Sequence, residues 1–392
     1  MKINNIAYIL RVFPGEPPFI MNEVNGIRDL GVNVIIFTVN NNKNKIVDPS
    51  WDKEIFNVFN YLSLDVIRAH IFHILKRPYK YIQLILQCNK MGGWQVFWKA
   101  IYYSYIARIH NIQHIHAHFA WDAADMAMMM STISGISFSF TAHQSDIHRD
   151  PIRLKEKIDK AKYVLTCTNG NRDYLSAKYG NKNKIYAIYH GVDRDMFSVN
   201  MNADSKDIDI ISVGRLIKVK GFDYLIEACA RLKLSGLLNK CVIVGDGEEM
   251  NNLSGLVKQY GLEDKIELKG AVPYKEIIIL YQRAKIFALT ATVIDGAPHG
   301  IPNVIAEGMA MGLPVIAFDV PHINELIENG INGILVPDKN IDELVKSIKE
   351  LLNNNEERKR LGSKAINKVS KCFDLKEQNR KILDLFNQSF IR

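Results

Sequence analysis

Short apolar runs separated by polar, turn-rich stretches recur through nearly the whole chain. Residues 3–10 form one such run and lead into Phe13-Pro-Gly-Glu-Pro-Pro-Phe19. A helical spacing follows to Leu30, then Gly31 and a second apolar run over 32–39. Strand, loop, helix, strand is the opening of a parallel α/β sheet. Further strands are predicted at 114–118, 136–141, 163–167 and 184–189, with a helix through the methionines of 126–130. Residues 40–52 read as a polar surface loop. Residues 65–111 read as helical, with Arg68, His70, Lys76, Arg77, Lys80 and Lys99 set among Phe, Tyr, Trp and Ile. That mixture can lay a helix on an anionic bilayer, although a core-packed helix with a solvated basic face is the more ordinary arrangement. Residues 198–207 lack periodicity and are the linker candidate.

Past this linker the pattern restarts. Residues 208–213 form an apolar strand, Gly214-Arg215-Leu-Ile-Lys-Val-Lys220-Gly221 a basic loop, and 222–232 a helix. Strands predicted at 265–269, 285–289, 315–317 and 333–336 alternate with helices. The chain then reads as helical from Asp338 nearly to its end, with Asp374 capping a last helix to Phe390. With 392 residues, the chain exceeds one ordinary core and suggests two domains.

Composition narrows the class. Hydrophobic residues at 47% and charged residues at 23% are globular values. Cys88, Cys167, Cys229, Cys241 and Cys372 are scattered and form no CxxC pair, which disfavours a disulfide framework or a zinc site and favours a reducing compartment. The opening residues lack a signal peptide's apolar core and cleavage site, and no run approaches a membrane span, so a cytoplasmic protein is expected. The net charge of +8 suits phosphorylated small molecules or an anionic membrane face. Without an Arg-rich run, zinc finger or RNP-type aromatic motif, nucleic acid ranks last.

Parallel α/β sheets bind ligands beyond the carboxyl ends of their strands, so residues just past the strands are the candidates. Gly15 follows the first strand, where it would let backbone approach a ligand. His114-Ile-His-Ala-His118 has alternating histidines but no carboxylate pattern to recommend a metal, and His118 reads as a strand-end residue beside a cleft. His143 directly follows another strand, in Thr141-Ala-His143-Gln-Ser-Asp146. Gly214, Arg215 and Lys220 offer what a diphosphate needs: close backbone approach, cations and a helix terminus. Cys241-Val-Ile-Val-Gly-Asp-Gly247 begins like a dinucleotide fingerprint but has Met250 at the third glycine position, so that fingerprint fails. Residues 295–317 read as loop, helix, turn and strand. Pro302 suits a first helical position, and the amides of Asn303, Val304 and Ile305 would face outward as an anion site, with Glu307 just over one turn in. A capped core helix is the plain alternative.

In this order the motifs resemble the retaining glycosyltransferases of family 4, whose GT-B fold has two facing Rossmann-like domains with a central cleft. The resemblance spans nearly the whole chain. It rests on Phe13-Pro-Gly with Phe19-Ile-Met-Asn-Glu23, Phe140-Thr-Ala-His143-Gln-Ser-Asp146 and His190-Gly-Val-Asp193 in the first half. The second half adds Val213-Gly-Arg215-Leu, Lys220-Gly-Phe-Asp-Tyr-Leu-Ile-Glu227, Val244-Gly-Asp-Gly247 and residues 295–317. The stretch Gly300-Ile-Pro-Asn-Val304 is most similar to enzymes of bacterial exopolysaccharide, capsule or lipopolysaccharide assembly. The resemblance implies an acceptor-side domain over 1–198, a nucleotide-sugar domain over 208–373, and a final helix over 374–392 returning to the first domain. It implies a nucleotide-sugar donor and a glycan or lipid-linked glycan acceptor, with no metal or other cofactor. Arg215 and Lys220 would hold the donor diphosphate and stabilise the leaving nucleotide. Glu307 would accept from ribose hydroxyls, the Asn303, Val304 and Ile305 amides and Gly300 would lie on the donor side, and Val272 would lie near the base. His143 would meet the transferred sugar, with Gly15, His118 and Asp146 toward the acceptor.

Two departures from the family pattern stand out. His299 occupies the place of the first of two glutamates that flank seven residues, and Asp295 is a substitute carboxylate four positions earlier. A neutral imidazole can donate or accept, so altered sugar preference or reduced activity follows. Glu16-Pro-Pro18 stands where relatives carry Ser and Thr. The alternatives to a transferase are a homologue that binds nucleotide sugar or a partner transferase with weak turnover, and a nucleotide-sugar epimerase, against which Lys220 and Glu307 count.

Overall fold

A computed structural model describes residues 2–13, 15–41, 54–56, 59–198, 206–294 and 300–388. The chain divides into two compact units: Met1–His190 with Leu375–Arg392, and Gly191–Asp374.

The first unit is built on β1 (Asn5–Leu10), β2 (Asn33–Thr38), β3 (Ile55–Phe56), β4 (His114–His118), β5 (Ser137–Ala142), β6 (Val164–Thr166) and β7 (Ile185–Ala187). These form one sheet in the order β3-β2-β1-β4-β5-β6-β7, every pair parallel. Its helices are α1 (Pro18–Asp29), α2 (Leu64–Lys76), α3 (Pro78–Gln87), α4 (Gly93–Ile109), α5 (Asp122–Ser134), α6 (Leu154–Lys160) and α7 (Asn169–Tyr179). Strand residues alternate between two apolar layers, as period-2 geometry requires. Ile6, Tyr8 and Leu10 join Ile20, Val24 and Ile27 of α1, while Ala7 and Ile9 join the layer containing α4 and α5.

The second unit has β8 (Ile208–Val213), β9 (Cys241–Val244), β10 (Ile266–Gly270), β11 (Ala284–Leu289), β12 (Val315–Asp319) and β13 (Ile334–Pro337). Their order is β10-β9-β8-β11-β12-β13, again all parallel. Around them lie α8 (Phe222–Leu234), α9 (Met250–Gln259), α10 (Tyr274–Arg283), α11 (Asn303–Ala310), α12 (Ile341–Asn353) and α13 (Asn355–Cys372). The last helix, α14 (Leu375–Gln388), belongs to the first unit, where Ile382, Leu385 and Phe386 enter the α1 layer.

Several boundaries differ from the sequence reading. The helical stretch 65–111 is three helices. Arg77 is non-helical and Pro78 opens α3, while Gly92 and Gly93, at φ 81° and 80°, break the chain before α4. The helical stretch after Asp338 is likewise split: Asn354 leaves the helix and its side chain accepts the Glu357 amide at 3.0 Å, capping α13. Strand β3 is too short to leave a pattern. The chain passes to the second unit after His190 rather than at 198, because the Val192 amide donates to Phe373 O at 2.7 Å and Phe197 packs on Tyr274 and Tyr281. Most of the expected loop 40–52 and linker 198–207 lies outside the described residues. Among the described residues, no helix is long and apolar enough to cross a membrane.

Candidate functional site

In the first unit, polar groups gather where strand order reverses between β1 and β4. Gly15 follows β1 with φ 134°, a region that favours glycine. Glu16 turns back to accept the Arg11 and Val12 amides at 2.8 and 3.1 Å, and Pro17 and Pro18 are the N-cap and first residue of α1. The prolines that depart from the family pattern therefore start a helix, where a missing N–H costs little. That helix carries Glu23 on its buried stripe beside Ile20, Val24 and Ile27.

A buried carboxylate needs partners. Tyr8 Oη donates to Glu23 Oε1 at 3.0 Å, and His118 Nε2 lies 3.2 Å from the same oxygen. His118 Nδ1 in turn lies 3.4 Å from His143 Nε2. Burial pushes the Glu23 pKa up, but His118, His116 and the Tyr8 hydroxyl outweigh it and hold the group at about 2. The ionised carboxylate takes the Nε2–H of His118. His118 Nδ1 and His143 Nε2 share one proton between the two rings, so Glu23, His118 and His143 form a continuous hydrogen-bonded row. Burial, with His190, His118 and His116 nearby, pushes His143 well below its ordinary range, so its imidazole is neutral at pH 7. The His190 ring stacks parallel to it at 5.6 Å, and Phe19 and Phe119 pack around it.

The alternating histidines have a structural use. His114 bonds Ser137 and Ser139 at 2.8 and 2.7 Å, and His116 bonds Ser139 and Thr141 at 2.8 and 3.0 Å, so period-2 imidazoles on β4 meet period-2 hydroxyls on β5. His118 is fully buried, with its Nδ1 facing His143. Asp146, read from sequence as acceptor-side, is also fully buried. Its carboxylate accepts the amides of His143 at 2.6 Å and Ala120 at 2.5 Å, which makes it a positioning group for the His143 loop. Burial raises its pKa to about 7 despite those bonds. Among the described residues, two sets of side chains place ligand atoms within 4.8 Å of one another and have the donor types to hold a metal: Glu23 with His116 and His118, and His143 with Cys167 and His190. In the first set both imidazoles already spend their nitrogens on hydrogen bonds.

In the second unit, strand order reverses between β8 and β11. Arg215 and Lys220 follow β8. The Gly214 amide donates to Val244 O at 3.0 Å, the Leu216 amide to Asp246 O at 2.9 Å, and the Glu249 amide to Leu216 O at 2.9 Å. The Val244-Gly-Asp-Gly247 backbone thus clamps the arginine loop. A Cβ on Gly245 would stand 1.8 Å from Gly214 O, so these glycines serve backbone contact rather than a dinucleotide. Gly221, at φ 62°, ends the Lys220 turn and is held by Thr290 Oγ1 donating to its carbonyl at 2.6 Å. Among the described residues, neither Arg215 nor Lys220 has an ion-pair partner. Loss of solvent and then the Arg215 charge lower Lys220 to about 8.

Helix α11 follows β11. Pro302 is its N-cap rather than its first helical residue, because its backbone is extended, so the helix starts one residue later than the sequence suggested. The Ile305 amide donates to Pro302 O at 3.0 Å, so Ile305 is already engaged, while Asn303 and Val304 carry the leading amides. Gly300 is half-buried just ahead of them; Asp295 and His299 lie outside the described residues. Glu307 is 7% exposed, with Tyr281 Oη donating to Oε2 at 3.4 Å. Burial raises its pKa to about 7, with the Tyr281 bond pulling the other way. This carboxylate is short of donors. Val272 lies in the loop between β10 and α10, at the same carboxyl edge.

The sequence reading gave Glu23, Tyr8, His190 and Tyr281 no site role. A glutamate in the apolar stripe of α1 was the available signal for the first, and the seven-residue spacing of Tyr274 and Tyr281 on one helix face for the last.

Two parallel sheets, each with polar groups at its switch point, define a GT-B protein. The family model described as Glycosyltransferase Family 4 matches residues 15–196, and that described as Glycosyl transferases group 1 matches residues 193–368. Together they run through nearly all of the chain, which belongs to the family 4 glycosyltransferases with the GT-B fold. The chain superposes on a glycosyltransferase from Rickettsia africae ESF-5 with a TM-score of 0.76 at 20% identity, over 99% of each chain. Anabaena HepE in complex with UDP-glucose gives 0.73 at 19% identity, over 98% of this chain and 99% of that one. In sequence the chain is 34% identical over 205 residues to a Salmonella typhimurium protein named as the colanic acid biosynthesis glycosyltransferase WcaL, covering 52% of this chain and 50% of the relative. The chain thus spans about half the length of that relative.

Proposed function

We propose that the protein is a retaining glycosyltransferase that moves a sugar from a nucleotide-sugar donor to a glycan or lipid-linked glycan acceptor in surface polysaccharide synthesis. The observation that carries this is the pairing, at one switch point, of two cations without counter-charge and a carboxylate short of donors: Arg215, Lys220 and Glu307. A nucleoside diphosphate supplies what each lacks, since its phosphates answer the cations and its ribose hydroxyls the carboxylate. The UDP-glucose bound to HepE and the exopolysaccharide role in the name WcaL support the same direction.

In the proposed reaction the bond from the anomeric carbon to the phosphate oxygen breaks as the acceptor oxygen bonds that carbon on the same face. The acceptor's proton passes to the departing phosphate. Arg215 and Lys220 stabilise the charge that grows there, which removes the need for a metal. His143 presents its imidazole to a sugar hydroxyl and is held for this by His118 and Glu23. Binding with weak turnover is the second reading, resting on His299. Incubation with a panel of nucleotide sugars, with and without cell-envelope extract, separates them. Nucleotide release that requires extract supports transfer; binding without release supports the weak homologue; sugar interconversion on the intact nucleotide points to an epimerase.

A further inference from the structure

Three neighbouring strands of the first sheet each hand one metal-ligating residue to its carboxyl edge. His143 directly follows β5, Cys167 directly follows β6, and His190 lies three residues beyond β7. Ala142 pairs with Thr166, and Thr166 with Ala187. Adjacent strands run about 4.8 Å apart, so residues leaving their ends arrive side by side. The three ligands lie 24 and 23 residues apart, one per strand–helix unit. The sequence, with no CxxC pair, disfavours zinc; the sheet supplies the proximity that the spacing lacks.

Local bonds fix each position. The His143 amide donates to Asp146 at 2.6 Å. Thr166 Oγ1 donates to Thr168 O at 2.9 Å, and the Thr168 side chain caps α7 by accepting the Asn171 amide at 3.0 Å, which sets the turn at Cys167. The Ile188 amide donates to Thr166 O at 2.8 Å and keeps the His190 segment beside β6.

One ligand atom from each residue lies within 4.8 Å of the other two. Tetrahedral zinc, with bonds of about 2.0–2.3 Å, holds its ligand atoms roughly 3.3–3.8 Å apart, so side-chain adjustment of about 1 Å closes the site. The imidazole planes of His143 and His190 are already within 1° of parallel. His143 and Cys167 are buried, and half-buried His190 gives the way in from solvent. Unlike the set around Glu23, this one has nitrogens to offer. His143 turns Nε2 to His118, and among the described residues neither its Nδ1 nor a ring nitrogen of His190 has a hydrogen-bond partner. A metal-bound imidazole ordinarily anchors its second nitrogen on a neighbour that fixes the ring, and the His118–Glu23 row is such an anchor. Cys167 carries a thiol. One sulfur and two imidazole nitrogens suit a zinc-type cation and are poor ligands for Mg²⁺ or Ca²⁺.

We propose that His143, Cys167 and His190 form an inhibitory site for a zinc-type divalent cation, whose occupancy withdraws His143 from the sugar. On binding, the Cys167 S–H bond breaks, the sulfur gives its electron pair to the cation and the proton goes to solvent, with no change of oxidation state. The inhibition rests on the role proposed for His143; the binding does not. The test titrates the full chain, first freed of metal with EDTA and dialysed, with Co²⁺, Zn²⁺ or Mg²⁺ alone. Co²⁺ is expected to give a thiolate-to-metal charge-transfer band that Zn²⁺ displaces and Mg²⁺ does not. Zn²⁺ binding should release a proton, read as a buffer-dependent enthalpy. Cys167→Ser should lose the band, and both it and His190→Asn should weaken Zn²⁺ binding by at least about tenfold, the lower end for disturbing a metal's ligand shell. Saturating Zn²⁺ should slow wild-type turnover by at least about tenfold, on the scale of one lost polar contact to substrate, and EDTA should restore it. Cys167→Ser should turn over at near the wild-type rate and resist Zn²⁺. A cobalt spectrum without the charge-transfer band, or with a band that Cys167→Ser leaves intact, would overturn the site. Should Cys167→Ser fail to fold, the wild-type spectrum decides alone. Zn²⁺ bound with that thiolate signature while turnover continues would uphold the site and remove His143 from the reaction. Sugar transfer as proposed, by a chain that binds no Zn²⁺, would overturn the site and leave the reaction standing.

Discussion

His118 Nδ1 lies 3.4 Å from His143 Nε2, with Glu23 Oε1 3.2 Å from the other nitrogen of His118. The carboxylate therefore holds the His118 ring that in turn meets His143. Glu23→Gln keeps an acceptor oxygen but removes the charge and adds a competing donor. Turnover is expected to fall by roughly ten- to a hundredfold, with little change in nucleotide affinity, the usual scale for losing a group that orients an imidazole. The substitution also tests stability. Glu23 is held at about 2 against an ordinary 4.5, so its contribution, on the order of 3 kcal/mol, is present above pH 4.5 and lost as pH falls toward 2. The melting gap between wild type and Glu23→Gln should be widest near neutrality and narrow below pH 4.5. A gap independent of pH would remove the ionised carboxylate from the account.

Lys220 carries the alkaline limb. Its pKa is lowered to about 8 in the free protein, so the ammonium is lost as pH rises past that value and nucleoside diphosphate affinity should fall with it. Lys220→Ala should reduce kcat/KM by roughly a hundred- to a thousandfold, as for other losses of a charge-stabilising donor. Lys220→Arg, whose guanidinium stays charged, should retain nucleotide binding above pH 8 even where turnover suffers from changed geometry. Calorimetric titration with UDP and GDP across pH 6.5–9.5 checks both, and wild-type affinity flat over that range would refute the assignment.

Removal of divalent metal addresses the same two cations from another side. If Arg215 and Lys220 neutralise the leaving diphosphate, EDTA should leave the initial rate within about twofold of the untreated enzyme, since positioned cations can supply the stabilisation a metal otherwise gives. Activity abolished by EDTA and restored by a divalent ion would transfer that role to a metal. The Glu23, His116, His118 and His143, Cys167, His190 sets would then be the first places to look.

How far these features could be read ahead depended on whether they are local. Apolar runs gave both sheets, because a parallel strand buried on two faces leaves a continuous pattern. Arg215 and Lys220 could be placed at a sheet edge because they follow a strand closely, and Glu307 because a proline marks the start of the helix that carries it. Glu23 was not assigned because its meaning depends on His118, which lies 95 residues further along the chain. The two breaks in 65–111 were hidden by apolar residues that stay periodic through Pro78 and Gly92. The role of Gly245 depends on its approach to Gly214, a contact between two loops that no single window contains.

Glu307 carries the acid limb, and it opposes the fold that holds it. Burial raises its pKa to about 7, so the native state binds its proton more tightly than the unfolded chain does. Stability from this group is present below the ordinary 4.5 and is lost as pH rises through about 7, by an amount on the order of 3 kcal/mol. The free protein should therefore lose melting temperature between pH 5 and 8, and Glu307→Gln should lose less over the same interval. A ribose that donates to the carboxylate reverses the preference, because hydrogen bonds to the charged form favour it. Nucleotide should then bind more tightly as pH rises from 6 toward 7.5, with proton release detectable as a buffer-dependent binding enthalpy, and saturating nucleotide should flatten the melting profile. Glu307→Gln should bind more weakly, by roughly ten- to a hundredfold, and show neither the proton release nor the rise. If Glu307→Gln binds UDP and GDP as tightly as wild type and with the same pH profile, the carboxylate faces no ribose and the second-unit assignment falls with it.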